Sequence, residues 1–167
     1  MAIVYKTFLP EGAQFAATIF PQYQRALGTN FSVTGLAYDA TTAQNAYWKF
    51  NAETYGSGNL TLELYWYAAT ATTGSVVWLS QLAVINPNVD TQDVETKAFA
   101  TANSVTQAHL GTTAKRIHRA TITLSNLDTI AAKKQVWLKV GRDAANASDD
   151  MAGNAILVQA CLSYSDV

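Results

Sequence analysis

The sequence predicts an all-β protein, an antiparallel β-sandwich of about eight to ten strands, with a jelly roll as the best single topology. Apolar and polar residues alternate with period two along most segments, which is typical of half-buried strands. Polar, glycine-marked turns separate these segments at spacings near ten residues, which favours a sandwich or barrel over βαβ units. An immunoglobulin-like sandwich is the alternative topology.

The first half of the chain contains the clearest strand, at Asn59–Tyr67. Its two faces carry Leu60, Leu62, Leu64 and Trp66 on one side and Thr61, Glu63, Tyr65 and Tyr67 on the other. Ala46–Phe50 alternates in the same way, with Tyr47 and Lys49 on the more polar face. Ser75–Ile85 is apolar on both faces and predicts a central, well-covered strand. Ile3–Phe8 and Thr29–Tyr38 are predicted strands with a weaker pattern.

The second half of the chain predicts three strands, Arg116–Ser125, Gln135–Gly141 and Asn154–Tyr164. Their inward faces are apolar, and Trp137 lies on the face opposite Val136 and Leu138. Residues 94–110 have a mixed composition that allows a helix, but frequent Thr and Val favour strand. We predict one strand at Glu95–Ala100, followed by a loop.

The chain length predicts one domain spanning residues 1–167. Charged residues are only 14% of the chain, well below the usual quarter, so small polar residues or other copies must cover the surface. A net charge of −1 provides no basic surface for nucleic acid or an anionic membrane. The sequence shows neither a signal peptide nor a membrane span, so we expect synthesis in the host cytoplasm.

No recognisable catalytic or cofactor motif is present. His109 and His118 are the only histidines and lack a nucleophile and an acid at a motif spacing, so structural roles are expected. Cys161 has no basic neighbour in sequence that would activate its thiol, so it is predicted to be packed or at an interface. The protein is therefore predicted to be non-enzymatic and to need no cofactor.

The loop 142–150 is the one segment with clustered oxygen donors. Asp143, Asp149 and Asp150 are weak candidates for calcium, which prefers such ligands. The loop lacks the alternating register of an EF-hand. The favoured alternative is a set of side-chain turns with an Arg142–carboxylate pair that fixes the loop.

Three aromatic side chains are candidates for an interface or a ligand-stacking surface. Tyr65 and Tyr67 share the less apolar face of their strand, and Trp137 occupies the corresponding face of its own. Aromatic residues are enriched in interfaces, but they also dominate protein cores. Trp66 falls on the leucine face and is predicted to lie in the core.

Several stretches together resemble small jelly-roll structural proteins of tailed bacteriophages. The matching segments are Ala46–Phe50, Asn59–Tyr67, Leu127–Trp137, Val140–Asp143, Asp149–Asp150 and Leu162–Tyr164. The resemblance covers roughly residues 40–167. This chain departs from the pattern at Lys133–Lys134, where a Gly-Asp turn is expected.

The resemblance implies a virion protein, and the favoured role is a capsid decoration (cement) protein that binds the assembled shell and stabilises it by linkage. It implies a homotrimer, the major capsid protein as partner, and location in the virion. The same role makes residues 1–12 a candidate extended N-terminal arm that reaches the capsid or a neighbouring copy. Ile3, Tyr5 and Phe8 in this arm are the candidate capsid contacts.

Three alternatives remain open from the sequence. A tail-associated receptor-binding domain would fit the same resemblance. A carbohydrate-binding module would use Tyr65, Tyr67 or Trp137 for stacking and the loop of residues 143–150 for calcium. A glycan-cleaving enzyme needs two facing carboxylates, and no obvious pair is present.

Overall fold

The computed structural model describes residues 1–167 as ten β-strands and one short 3₁₀ helix at Pro10–Gly12. The strands are β1 (Ile3–Phe8), β2 (Gln22–Leu27), β3 (Ser32–Tyr38), β4 (Gln44–Asn51), β5 (Leu60–Ala68), β6 (Ser75–Ile85), β7 (Asn103–Ala108), β8 (His118–Leu124), β9 (Gln135–Arg142) and β10 (Ala155–Ser165). No helix has the length and apolarity that a membrane span requires.

Two antiparallel sheets form the sandwich. The six-stranded sheet has the order β2-β3-β10-β5-β8, with β1 paired to the C-terminal half of β10 beyond the point where β3 ends. The four-stranded sheet has the order β4-β9-β6-β7. The predicted antiparallel sandwich is confirmed, because every strand pair is antiparallel and sequence neighbours often lie in different sheets.

The core lies between the inner faces of the two sheets. Trp66 on β5 and Trp78 on β6 are fully buried and meet edge to face with ring centroids 6.0 Å apart. Tyr38 packs against Trp78 and donates its hydroxyl hydrogen to the Val140 carbonyl at 3.1 Å. The predicted core position of Trp66 is confirmed. The alternation of apolar and polar residues determines these faces. Successive side chains of a strand point to opposite sides of the sheet, and only one side is buried against the other sheet.

The N-terminal segment is part of the sandwich. β1 pairs with β10 over six residues, and Phe8 packs in the core against Trp48 and Phe50. The prediction of an extended arm at residues 1–12 is therefore wrong for residues 3–8, which form a strand of the sandwich. Phe8 is unavailable as a capsid contact because its side chain is buried in the core. Ile3 and Tyr5 are exposed on the outer side of β1.

The strand predicted at Glu95–Ala100 is also wrong, because β7 lies later, at Asn103–Ala108. The Asp93 carboxylate accepts a hydrogen bond from the Glu95 backbone at 2.9 Å, which closes a turn where the strand was expected. β2 was not predicted at all. Its side chains are half-buried or exposed, so its sequence carries no apolar face to reveal it.

Gly35 allows β3 to approach β10 closely. A Cβ atom at this position would lie 2.5 Å from Cγ2 of Ile156 and 3.0 Å from the Leu157 carbonyl oxygen. Any side chain would therefore push the strands apart. Val33 on β3 packs against Ala37, Tyr67 and Ile156, and the tip of the β2–β3 hairpin lies near Tyr67.

Candidate functional site

The structure separates the three aromatic residues that the sequence grouped as stacking candidates. Tyr65 and Tyr67 lie on the outer face of the six-stranded sheet, and Trp137 lies on the outer face of the four-stranded sheet. The prediction that each of these side chains points away from the apolar face of its strand is confirmed. The three side chains cannot form one surface, because the whole sandwich lies between them.

Trp137 belongs to an aromatic pocket on the outer face of the four-stranded sheet, with a volume of about 220 Å³. Its aromatic members are half-buried or at the margin of exposure. The lining residues are Gln14, Phe15, Tyr47, Ala83, Val94, Glu95, Lys97, Phe99 and Trp137. We refer to this set as the Trp137 pocket.

The strand register builds the floor of the Trp137 pocket. Trp137 on β9 lies directly between Lys49 on β4 and Ala83 on β6, and Tyr47 is its diagonal neighbour on β4. Ala83 contributes only a methyl group beside the indole ring. A larger residue at this position would occupy the space that now forms the pocket.

The loop joining β6 to β7 crosses the outer face and forms one wall. The Ala100 backbone donates to the Leu82 carbonyl at 2.8 Å, and the Gln81 amide donates to the Ala100 carbonyl at 2.7 Å. Phe99 then packs against Tyr47, with ring centroids 5.8 Å apart. These contacts hold the wall against the sheet.

An ion pair and a cation–π contact fix the same loop at further points. The Lys97 ammonium lies 2.9 Å from the Asp128 carboxylate, which also accepts a hydrogen bond from the Val84 backbone at 2.7 Å. Lys139 places its ammonium 5.5 Å from the centre of the Phe99 ring, and burial lowers the pKa of this lysine. Both contacts keep Phe99 and Lys97 at the pocket.

The opposite wall is the segment before β2. Gln14 exchanges two backbone hydrogen bonds with Tyr47, at 2.8 and 2.9 Å, and so extends the four-stranded sheet beside β4. Its exposed side chain, with Glu95 and Lys97, adds polar groups to the aromatic surface. The arrangement therefore offers flat apolar rings beside amide, carboxylate and ammonium groups.

The sequence did not identify Gln14, Tyr47, Glu95, Lys97 or Phe99 as site residues. A signal existed only for Tyr47, which alternates onto the polar face of β4. The other four residues lie in irregular segments far apart in sequence. Such segments have no periodic pattern from which their position over a sheet could be predicted.

The candidate calcium residues are held by other contacts. Asp149 pairs with Arg142 at 2.6 Å and accepts the Val77 backbone N–H at 2.9 Å. Asp150 accepts the Ser75 backbone N–H at 2.6 Å, and Asp143 lies near the Asn146 amide. The favoured Arg142–carboxylate pair is confirmed. Nowhere do three or more His, Cys, Asp or Glu side chains converge in a way that could hold a metal ion.

The two histidines meet in a buried cluster. Their ring centroids lie 4.3 Å apart, and His118 stacks on Trp66 at 4.7 Å. His118 Nε2 accepts the Leu110 backbone N–H, and His109 Nδ1 accepts that of Gly111, both at 3.0 Å. Burial and the neighbouring His109 lower the pKa of His118. The cluster fixes the loop before β8, because the hydrogen bonds of both rings go to backbone groups of that loop.

Cys161 lies half-buried on the outer face of β10. The Gln159 amide donates to its sulfur at 2.9 Å, and the Thr7 hydroxyl lies 3.8 Å away. Across the strand, Glu63 pairs with Arg119 at 3.2 Å. The side chains that contact the thiol are therefore a neutral amide and a neutral hydroxyl.

No protein-family model matches the chain, and no curated protein matches it in sequence. Solved structures match in fold. The carbohydrate-binding module TmCBM27, described for specific mannan recognition, superposes with a TM-score of 0.52 at 12% identity, and 99% of each chain is covered.

Two further carbohydrate-binding modules superpose with lower scores. The non-crystalline-cellulose-specific module CBM28 gives a TM-score of 0.48 at 8% identity, with 91% of this chain and 85% of that chain covered. The family 11 module of Clostridium thermocellum gives 0.46 at 9% identity, with coverages of 95% and 87%. The superposition on TmCBM27 supports a jelly-roll-type β-sandwich along the full length of this chain.

Proposed function

We propose that this protein is a non-catalytic carbohydrate-binding protein and that the Trp137 pocket holds the glycan. The observation that carries the proposal is the half-buried Trp137 beside Tyr47, with the side chains of Gln14 and Glu95 at the same pocket. The apolar C–H face of a sugar ring packs against an aromatic ring, while amide and carboxylate groups bond its hydroxyls. The TmCBM27 fold supports the same class of function.

Binding rather than hydrolysis fits the charges at the pocket. Glu95 is the only carboxylate among the lining residues, whereas glycoside hydrolysis ordinarily uses two carboxyl groups that flank the scissile bond. The Lys97 ammonium is already paired with Asp128. A single hydrogen-bonding carboxylate is suited to orienting a neutral sugar.

The tryptophans provide a direct assay. Three of the four are buried, at 0% exposure for Trp66 and Trp78 and 4% for Trp48, so Trp137 is the one most open to a soluble quencher. We expect a bound glycan to protect Trp137 from acrylamide. A panel of soluble mannan, β-glucan, galactan and xylan, read by quenching and calorimetry, identifies the ligand.

Substitutions separate this pocket from the rest of the surface. Trp137→Ala should weaken glycan binding by at least about thirtyfold, the effect expected for a central aromatic contact of about 2 kcal/mol. Tyr65→Ala removes a half-buried aromatic side chain from the opposite face and is the matched control. Equal binding by Trp137→Ala and the wild type, or no binding to any glycan in the panel, would contradict the proposal.

The virion role stays a prediction from the resemblance, together with the homotrimer, the capsid partner and the virion location. Light scattering after size exclusion tests the trimer, which would have three times the chain mass of 18.0 kDa. A tail-associated domain that binds host glycans would combine that resemblance with the Trp137 pocket.

A further inference from the structure

The outer edge of β2 is a second surface of the molecule that lacks a partner within the chain. β3 is the only strand with which β2 makes extensive contact. Elsewhere the edge strand β4 is paired by Gln14 at Tyr47, and Asn103 at the start of β7 bonds Ser125 just after β8. No segment pairs with the outer edge of β2.

The backbone of β2 presents hydrogen-bonding groups at this edge. The Gly28 N–H donates to the Phe31 carbonyl across the hairpin at 3.1 Å. Because the bonded residues of an antiparallel ladder alternate, the N–H and C=O groups of Tyr23, Arg25 and Leu27 point away from β3. A row of such groups is a template for pairing with another strand.

Large apolar side chains are exposed around the same edge. Ile19 is 61% exposed, Tyr23 is 51% exposed and Leu27 is 78% exposed. Tyr23 and Leu27 lie on the same side of the sheet as the buried Leu36, but the four-stranded sheet does not cover them. Grouped exposure of this kind marks an interaction surface.

One unpaired charge of each sign lies at this edge. Arg25 is exposed and has no carboxylate partner, and its guanidinium donates one long hydrogen bond, of 3.4 Å, to the Ser32 hydroxyl. Glu11 is also exposed and has no cationic partner. It lies near Tyr23, since desolvation and the Glu11 carboxylate together raise the pKa of this tyrosine.

Antiparallel pairing of two β2 strands brings these charges together. A two-fold axis at Gln24 places Tyr23 directly opposite Arg25 of the partner subunit, and both residues have their free N–H and C=O groups at the edge. Directly opposite side chains share one face, so the partner's Arg25 lies beside the Tyr23 ring and Glu11. A two-fold axis at Arg25 would instead set two like charges opposite each other, which is unfavourable.

The same register covers the exposed apolar side chains. Leu27 at the end of one β2 lies opposite the segment that leads into β2 of the other copy, and this segment carries Ile19. Tyr23 is covered by the aliphatic part of the arginine opposite it. Backbone groups, charges and apolar side chains are therefore all complementary in one register.

We propose that two copies of this chain form a symmetric dimer through antiparallel pairing of their β2 strands. The two six-stranded sheets become one continuous sheet across the two-fold axis. A second copy is the partner that the chemistry selects, because a two-fold interface requires a self-complementary surface and Arg25 with Glu11 provides one. The dimer does not rest on glycan binding.

Sedimentation equilibrium of the full chain over a concentration series tests the assembly. We expect a monomer–dimer equilibrium, with a dimer of twice the chain mass of 18.0 kDa. Arg25→Glu should weaken dimerisation at least about tenfold, because it places a carboxylate beside the partner's Glu11. Lys133→Glu makes the same change of charge in the exposed β8–β9 loop and should have no effect.

A charge exchange separates the interface from a folding defect. The double variant Glu11→Arg with Arg25→Glu restores opposite charges across the two-fold axis and should dimerise more tightly than Arg25→Glu alone. A monomer at every concentration, a trimer, or equal dimerisation by Arg25→Glu and the wild type would overturn the proposal. Failure of the double variant to recover dimerisation would also overturn it.

Disulfide cross-linking tests the register in a Cys161→Ser background. At position 24 the two copies face each other in a non-hydrogen-bonded pair, with Cα atoms about 4.5 Å apart, a distance that a disulfide spans. Gln24→Cys should therefore form a covalent dimer on mild oxidation. Gln22→Cys lies opposite Ala26 of the partner subunit and should not. Absence of the Gln24→Cys cross-link, or cross-linking by Gln22→Cys, would contradict the register.

Discussion

Replacing Asp149 with asparagine removes one charge of a fully buried ion pair while it keeps the size of the side chain. In the wild type the side chains of both partners are 0% exposed, and Arg142 donates to Asp149 from Nε at 3.0 Å and from Nη2 at 2.6 Å. The same carboxylate accepts the Val77 N–H at 2.9 Å. The variant thus leaves the Arg142 charge in the core without a counter-charge.

Breaking such a pair from one side costs about 3–5 kcal/mol, because the remaining charge stays desolvated. The Arg142 bonds to the Met151 and Gly153 carbonyls, both at 2.8 Å, remain and prevent the guanidinium from leaving. For a domain of this size each kcal/mol lowers the melting temperature by about 2–4 °C. We therefore expect a melting temperature roughly 6–20 °C lower for Asp149→Asn.

Urea unfolding followed by circular dichroism and tryptophan fluorescence measures this loss. Asp143→Asn is the matched control in the same loop, and its partly exposed carboxylate should change the free energy of unfolding by no more than about 0.5 kcal/mol. If Asp149→Asn lost less than about 1 kcal/mol, the buried pair would not be the support of the 143–153 loop that its geometry indicates.

Three further perturbations test other parts of the fold. Because burial and His109 lower the folded-state pKa of His118 below its ordinary 6.5, the unfolded chain takes up the proton first. Stability should be complete above pH 6.5 and fall as the pH drops through the folded-state pKa, a slope that His118→Gln should reduce in urea titrations from pH 7.5 to 4.5. Gly35→Ala should cost about 1–3 kcal/mol in the same assay, since the new methyl group meets Ile156, and an unchanged midpoint would contradict the close approach. Phe8→Ala should cost about 3–5 kcal/mol, whereas a detached N-terminal arm would give no loss.

Period-two alternation by itself determined the sandwich class and the inner faces of its central strands. Leu62 and Trp66 had to lie on one face, and Val136 and Leu138 on another, because a strand turns successive side chains to opposite sides. The Arg142–carboxylate pair was also predictable, since its partners lie within one short loop.

Only the tertiary structure decided which strands share a sheet, and hence which outer faces carry Tyr67 and Trp137. Strand order depends on pairing across long sequence separations, which local pattern does not encode. The same reason explains β2, whose half-exposed residues show no apolar face, and β1, whose pairing with β10 joins the two ends of the chain. The Trp137 pocket combines a sheet floor with walls from irregular segments, so it exists only once the chain has folded.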